Sequence, residues 1–148
     1  MLGHFTTGIT VATCRRKDGS PAGVTINSFT SVSLNPALIL FCLGHATRVY
    51  GDFIAAEQFA ISILAEPQEP LARHFSGPNA DDWSRIGVPA QSGDGPPVLA
   101  DSLGWLSCRR HAIHPGGDHA IIVGRVTALG QPHEADPLLY FRSQYRRL

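Results

Sequence analysis

Thr25-Ile26-Asn27-Ser28-Phe29-Thr30-Ser31-Val32-Ser33-Leu34 is followed, after Asn35-Pro36, by the apolar run Ala37-Leu38-Ile39-Leu40-Phe41-Cys42-Leu43. The first stretch places five hydroxyls and one carboxamide within ten residues. Hydroxyls and amides both donate and accept hydrogen bonds, so a ribbon this rich in them suits a polar, planar ligand. The same composition also suits a Ser/Thr-rich strand edge with an Asx turn, and spacing alone does not separate the two. The second stretch is short, continuous and apolar on both faces, which predicts a strand near the centre of a sheet.

Strand signals continue on either side. Thr7 to Arg15 carries β-formers at Ile9, Val11 and Thr13, and Lys17-Asp18-Gly19-Ser20 predicts a hairpin turn into a strand over Ala22 to Asn27. Ser31 to Leu34 reads as a third strand and Ala37 to Leu43 as a fourth. The period changes over Arg48 to Gln58, where Val49, Phe53, Ile54 and the Ala55-Ala56 pair recur at helical spacing. Phe59 to Leu64 returns to strand. Pro67 to Phe75 predicts a short helix with Leu71, Ala72 and Phe75 on one face. Gly77 to Pro97 is the least patterned region, anchored by Trp83 and Ile86. Long strands over Gly104 to His114 and His119 to Leu129 flank Pro115-Gly116-Gly117-Asp118, and a last strand covers Leu138 to Phe141. Many strands and few short helices predict a β-barrel with helices packed outside.

Composition bounds the function. The 148 residues fit one domain, 1–148, with a core large enough to need no metal or disulfide. Lys plus Arg equals Asp plus Glu at 12 each, so no global field draws in nucleic acid. No apolar run is long enough to cross a bilayer as a helix. The first residues show no basic segment leading into an apolar one, so no signal peptide is expected. Cys14, Cys42 and Cys108 are scattered and odd in number, which predicts reduced, buried thiols in a cytoplasmic protein.

Seven histidines invite a metal reading, but no HExxH occurs. His111 and His114 are three apart on a predicted strand, which would send them to opposite faces. Gly116-Gly117-Asp118-His119 is better suited to a site: the glycines allow close approach of a ligand, and His119 offers a donor or acceptor. It is equally an ordinary hairpin turn. Ala46-Thr47-Arg48 lies where a strand gives way to a helix. Thr47 as N-cap and Arg48 beside it would make an anion site, or simply a capped helix with a solvated arginine. No GxGxxG or GxxxxGK[ST] is present, so neither nucleotide-binding loop is supported.

Taken in order, GITVATC, TINSFTSVSLNPALILFCL, ATRVY, FAISILA, GDHAIIVGRV and LLYFRSQYRRL resemble the short-chain flavin reductases, and the match runs along nearly the whole chain. The resemblance implies a mainly β, Greek-key-like, FMN-binding split β-barrel with a few short flanking helices. It implies an NAD(P)H-dependent flavin reductase that supplies reduced flavin to a partner monooxygenase. The cofactor would be FMN, with FAD the other candidate, and NADH or NADPH the co-substrate. The implied flavin contacts are Thr25, Asn27, Ser28, Thr30 and Ser33 along the ring and ribityl chain. Ala46, Thr47 and Arg48 would hold the phosphate, and Phe75 would lie near the ring. Gly117, Asp118 and His119 would stand where the nicotinamide meets the flavin, with His119 orienting the reacting rings. A homodimer with sites near its interface is implied, with neither nucleic acid nor membrane as partner. Members usually carry more residues before the LGxF element, so either the start is misassigned or an N-terminal helix is short. Pro78-Asn79-Ala80-Asp81-Asp82-Trp83 also departs from the basic-aromatic turn usual there.

Overall fold

A computed structural model describes residues 1–87, 94–131 and 134–148. Part of the expected Gly77–Pro97 loop, residues 88–93, lies outside the described residues. Seven antiparallel strands form one sheet in the order β3-β2-β6-β7-β8-β5-β4. These are β2 (Thr10–Arg15), β3 (Pro21–Ile26), β4 (Thr30–Leu34), β5 (Ala37–Gly44), β6 (Gln58–Ile63), β7 (Gly104–Gly116) and β8 (His119–Gly130). A small second sheet joins β1 (Thr7–Gly8), β9 (Leu139–Phe141) and β10 (Gln144–Arg146). Two short helices pack on the sheet away from the strands they follow, α1 (Tyr50–Ala55) against β2 and α2 (Glu69–Ser76) chiefly against β3. A 3-10 turn, Glu66–Gln68, leads into α2, and Pro70 occupies its first turn, where a missing N–H is harmless.

One connection decides the shape. The outermost strands of the seven-stranded sheet, β3 and β4, are joined by only Asn27, Ser28 and Phe29. A chain advances at most about 3.6 Å per residue, so the sheet must curl until its two edges stand side by side. No ladder joins β3 to β4 among the described residues. The result is a barrel left open along one seam, the split barrel expected from the resemblance.

Burial follows from that curl. Phe41 sits at the centre, with edge-on ring contacts to Phe53 of α1 at 5.8 Å and Phe59 of β6 at 5.2 Å. Ile39, Leu43, Ile61 and Ile122 complete the same fully buried group. Truncating one such aromatic to alanine typically costs about 3–5 kcal/mol. A second group forms under α2, where Ala72, Phe75, Leu99 and Leu138 are buried and Trp83 and Ile86 pack against them, as anchors of that loop. β5 is not central: it lies second from the edge, between β8 and β4. Ile39, Phe41 and Leu43 are buried while Leu38, Leu40 and Cys42 are half-buried, so its two apolar faces meet different surroundings. The cysteines are free thiols, and burial pushes Cys14 and Cys108 up to about 12. No helix among the described residues is long and apolar enough to cross a membrane.

Candidate functional site

The seam carries a cleft of about 210 Å³, lined by Val24 to Ser28 on one side and by Cys42 to Gly44, Thr47 and His119 on the other. Four of its positions come from three segments far apart in sequence. Asn27 and Ser28 sit on the β3–β4 connection, Thr47 on the turn after β5, and His119 at the first residue of β8.

Each side chain is placed by a definable interaction. Ser28 Oγ accepts the Cys42 N–H at 3.0 Å and donates to the Cys42 carbonyl at 3.1 Å. One hydroxyl thereby stands in for a missing strand and holds the seam at a fixed width. Thr25 Oγ1 donates to the Ala72 carbonyl of α2 at 2.7 Å, which ties β3 to that helix. Both hydroxyls are therefore committed to the scaffold, and Asn27 is the exposed carboxamide at the cleft. Thr47 N–H closes a turn onto the Gly44 carbonyl at 3.0 Å.

His119 pairs with Gly44 in the β5–β8 register. A two-residue turn, Gly117-Asp118, joins β7 to β8, and Gly117 has φ +74°, as the first turn position of a type II′ hairpin requires. The His119 Nδ1 donates to Asp118 Oδ1 at 2.7 Å. That bond turns the other ring nitrogen, Nε2, to the side facing Gly44. The same hydrogen bond holds the Asp118 carboxyl below its usual range. The hairpin is pinned to β5 by His45 N–H donating to the Asp118 carbonyl at 2.9 Å.

Other expected residues lie elsewhere. Phe75 is 2% exposed and packs on Gly23 and Trp83, behind β3, without lining the cleft. Thr30 lines a second hollow of about 570 Å³ on the far side of Asn27-Ser28, together with Phe5, Thr10 and Phe29. Ser33 is on edge strand β4, outside both hollows. Ala46 is exposed on the turn. Thr47 is not an N-cap: α1 starts at Tyr50, its cap position is Val49, and no side chain caps it. A helix of six residues is also too short to supply the anion site expected from its dipole. Arg48 is engaged by Asp81 through Nη1 and Oδ2, and the other Asp81 oxygen takes Arg16 Nη2 at 2.5 Å.

His111 and His114 do not lie on one uninterrupted alternation of β7. His111 is the extra residue of a β-bulge between Arg110 and Ala112, which resets the alternation of β7. Among the described residues no three of His, Cys, Asp and Glu are grouped as a metal would need. The sequence assigns no site role to Gly44, Cys42 or Asp81, although Asp81 lies in the departing Pro78–Trp83 turn. They are brought to the site only by long-range register and by the loop after α2, which leave no local signal.

The fold has counterparts among known proteins. Residues 2–148 match the family described as flavin reductase like domain, and the chain belongs to that family. A probable flavin reductase of Rhizobium meliloti is 44% identical over 132 residues, covering 86% of this chain and 40% of that protein. This chain thus spans less than half of that relative's length. The reductase subunit HsaB of a flavin-dependent monooxygenase from Rhodococcus jostii is 36% identical over 145 residues, covering 98% of this chain and 73% of that one. The solved structure of the NADH:FAD oxidoreductase SgcE6 of Streptomyces globisporus, in complex with NAD and FAD fragments, superposes with a TM-score of 0.92. It is 35% identical and covers 99% of this chain and 88% of its own.

Proposed function

We propose that the protein is an NAD(P)H:flavin oxidoreductase that reduces FMN or FAD and passes the reduced flavin to a flavin-dependent monooxygenase. The observation that carries this reading is the seam cleft, where Asn27, Thr47 and His119 converge around a glycine. The cleft fits the ring system in its chemistry. A carboxamide matches a heterocycle edge that alternates donors and acceptors. Gly44 leaves open the space that a Cβ would take within 3.3 Å of Thr47 Oγ1 and 3.4 Å of His119 Nε2.

A flavin supplies the hydride-accepting electronics when bound, so the protein needs no general base and contributes binding and orientation. In this reading Asn27 and the backbone of Thr25 to Ser28 hold the ring and ribityl chain. Ala46, Thr47 and Arg48 hold the phosphate. Gly117, Asp118 and His119 form the wall at which a nicotinamide approaches, and His119, oriented by Asp118, positions the reacting rings. Thr30 and Ser33 extend the polar ribbon along β4, and Phe75 backs β3 from the core. The cleft of about 210 Å³ shares Asn27 and Ser28 with the adjoining hollow of about 570 Å³, and the two together offer the open surface this reading assigns to the flavin.

We take the chain as one domain, a reading supported by the match over 2–148. We also propose a homodimer. Leu34 is 94% exposed and Val32 49% exposed on the open edge strand β4, an apolar edge that a second copy would cover.

The test is steady-state turnover with each flavin and each nicotinamide. Saturable NADH or NADPH oxidation in both substrates is expected. His119→Ala is expected to lower turnover while flavin still binds. If flavin binds and nicotinamide loss never exceeds that of free flavin, the protein is a flavin binder and not a reductase.

A further inference from the structure

We infer that Asp81 is a specificity-determining residue that competes with the phosphate of a bound flavin for Arg48. The inference rests on the reading of Arg48 as a phosphate contact.

Arg16, Arg48, Asp52 and Asp81 form one chain of ion pairs on the surface, and Arg48 directly follows Thr47, which lines the cleft. Arg16 Nε meets Asp52 Oδ2 at 3.0 Å, Arg16 Nη2 meets Asp81 Oδ1, and Arg48 Nη1 meets Asp81 Oδ2. Two guanidinium groups and two carboxylates cancel. An incoming phosphate therefore finds a compensated arginine and a carboxylate that repels it, not an open cation.

The two arginines are held unequally. Arg16 keeps Asp52 and the Pro21 carbonyl, taken by Nη1 at 2.8 Å, if Asp81 is removed. Arg48 is bonded, among the described residues, by Asp81. Asp81 lies on the loop after α2 and is half-exposed, so it can swing away without disturbing the core. Its carboxylate gives Arg48 a partner whenever phosphate leaves. That lowers the cost of release, because the departing ligand does not strand an unpaired charge. A reductase that hands on its flavin gains from such a partner.

The competition predicts a signature confined to phosphorylated ligands. Asp81→Asn removes one negative charge and frees Arg48. FMN is expected to bind about 3- to 5-fold more tightly, the range an exposed ion pair supports. Riboflavin, which lacks the phosphate, is expected to bind as before. The FMN gain is expected to shrink as salt is raised and to vanish when Arg48→Gln is added. Asp81→Ser serves as a second neutral variant with the same expected pattern.

Dissociation constants for FMN and riboflavin, read by quenching of flavin fluorescence in wild type, both neutral variants and the double variant, decide the matter. A ratio of the FMN to the riboflavin dissociation constant that is unchanged or rises in both neutral variants overturns the competition. A gain that persists in the Arg48→Gln background overturns it as well, because Asp81 then acts by another route. Either result leaves the reductase reading intact if wild type still turns over. If wild type binds neither flavin, that reading fails and the inference falls with it.

Discussion

Gly44 of β5 lies directly across the ladder from His119 of β8, and a Cβ on Gly44 would stand 3.4 Å from the His119 Nε2. The glycine is there for space, not for backbone freedom, since its φ lies outside the left-handed range. Gly44→Val should therefore leave the strand intact and fill the cleft. Flavin affinity is expected to fall by about tenfold or more, in line with crowding a fitted pocket by added methyl groups. Fluorescence titration measures it, and a melting temperature within a few degrees of wild type separates blocking from unfolding.

Ser28 supplies the seam's bridge. Ser28→Ala removes both bonds to Cys42 and leaves a backbone N–H and carbonyl of β5 without their partner. An unmet buried polar group costs about 1–3 kcal/mol. A lower urea midpoint with an unchanged slope is expected, together with weaker flavin binding as the seam loosens. Stability equal to wild type would show that water replaces the hydroxyl at no cost.

Much of this was legible, and the failures have physical reasons. The strands were readable because β-formers alternate between turn residues, and Gly19 and Gly117 take the positive φ that their turns predict. β10 was missed because its hairpin uses Arg142 and Ser143 at φ +49° and +60°, left-handed positions without the usual Asn or Gly signal. The place of β5 was misjudged because a run apolar on both faces fits any strand covered on both sides, wherever it lies in a sheet. Asn27, Ser28, Thr47 and His119 converge because β3 and β4 are opposite edges joined by three residues, a consequence of the curl that no local pattern encodes. The role of Asp81 depends on a loop contact 33 residues from Arg48.

The exposed edge of β4 tests the dimer. Leu34→Glu places a charge at a residue that is 94% exposed in the single chain, so the isolated fold should tolerate it. Burying that charge against a second copy would be costly. Sedimentation velocity is expected to show a shift from dimer to monomer. A wild-type protein that already sediments as a monomer would remove the dimer proposal.

The Asp81 bridge also predicts an acid response. The hydrogen bond from Arg16 holds the Asp81 carboxyl below its ordinary value; burial opposes it, and the weaker contribution of the bond from Arg48 adds to the lowering. A depressed folded value means that the stabilisation is present above the unfolded carboxylate value of about 3.9 and is lost as pH falls through the folded one. Both partners are partly exposed, so the contribution is at most about 1 kcal/mol. Asp81→Asn should melt slightly below wild type at neutral pH and converge with it as pH drops below about 4. Melting curves across that range read the convergence.

Gly23 carries the cleft's support from behind. A Cβ there would lie 2.7 Å from Phe75 Cε1 and 3.1 Å from Trp83 Cζ2. Phe75 is 2% exposed and its ring sits 5.0 Å from that of Trp83, so neither can yield without moving the other. Gly23→Ala is expected to cost about 1–3 kcal/mol through overpacking. The push falls on α2, whose Ala72 carbonyl takes the Thr25 hydroxyl two residues further along β3. Flavin affinity should therefore fall together with stability. Adding Phe75→Leu, which shortens the obstructing ring, is expected to recover part of both. A double variant no better than Gly23→Ala alone, by urea unfolding and flavin titration, would show that the clash is relieved some other way.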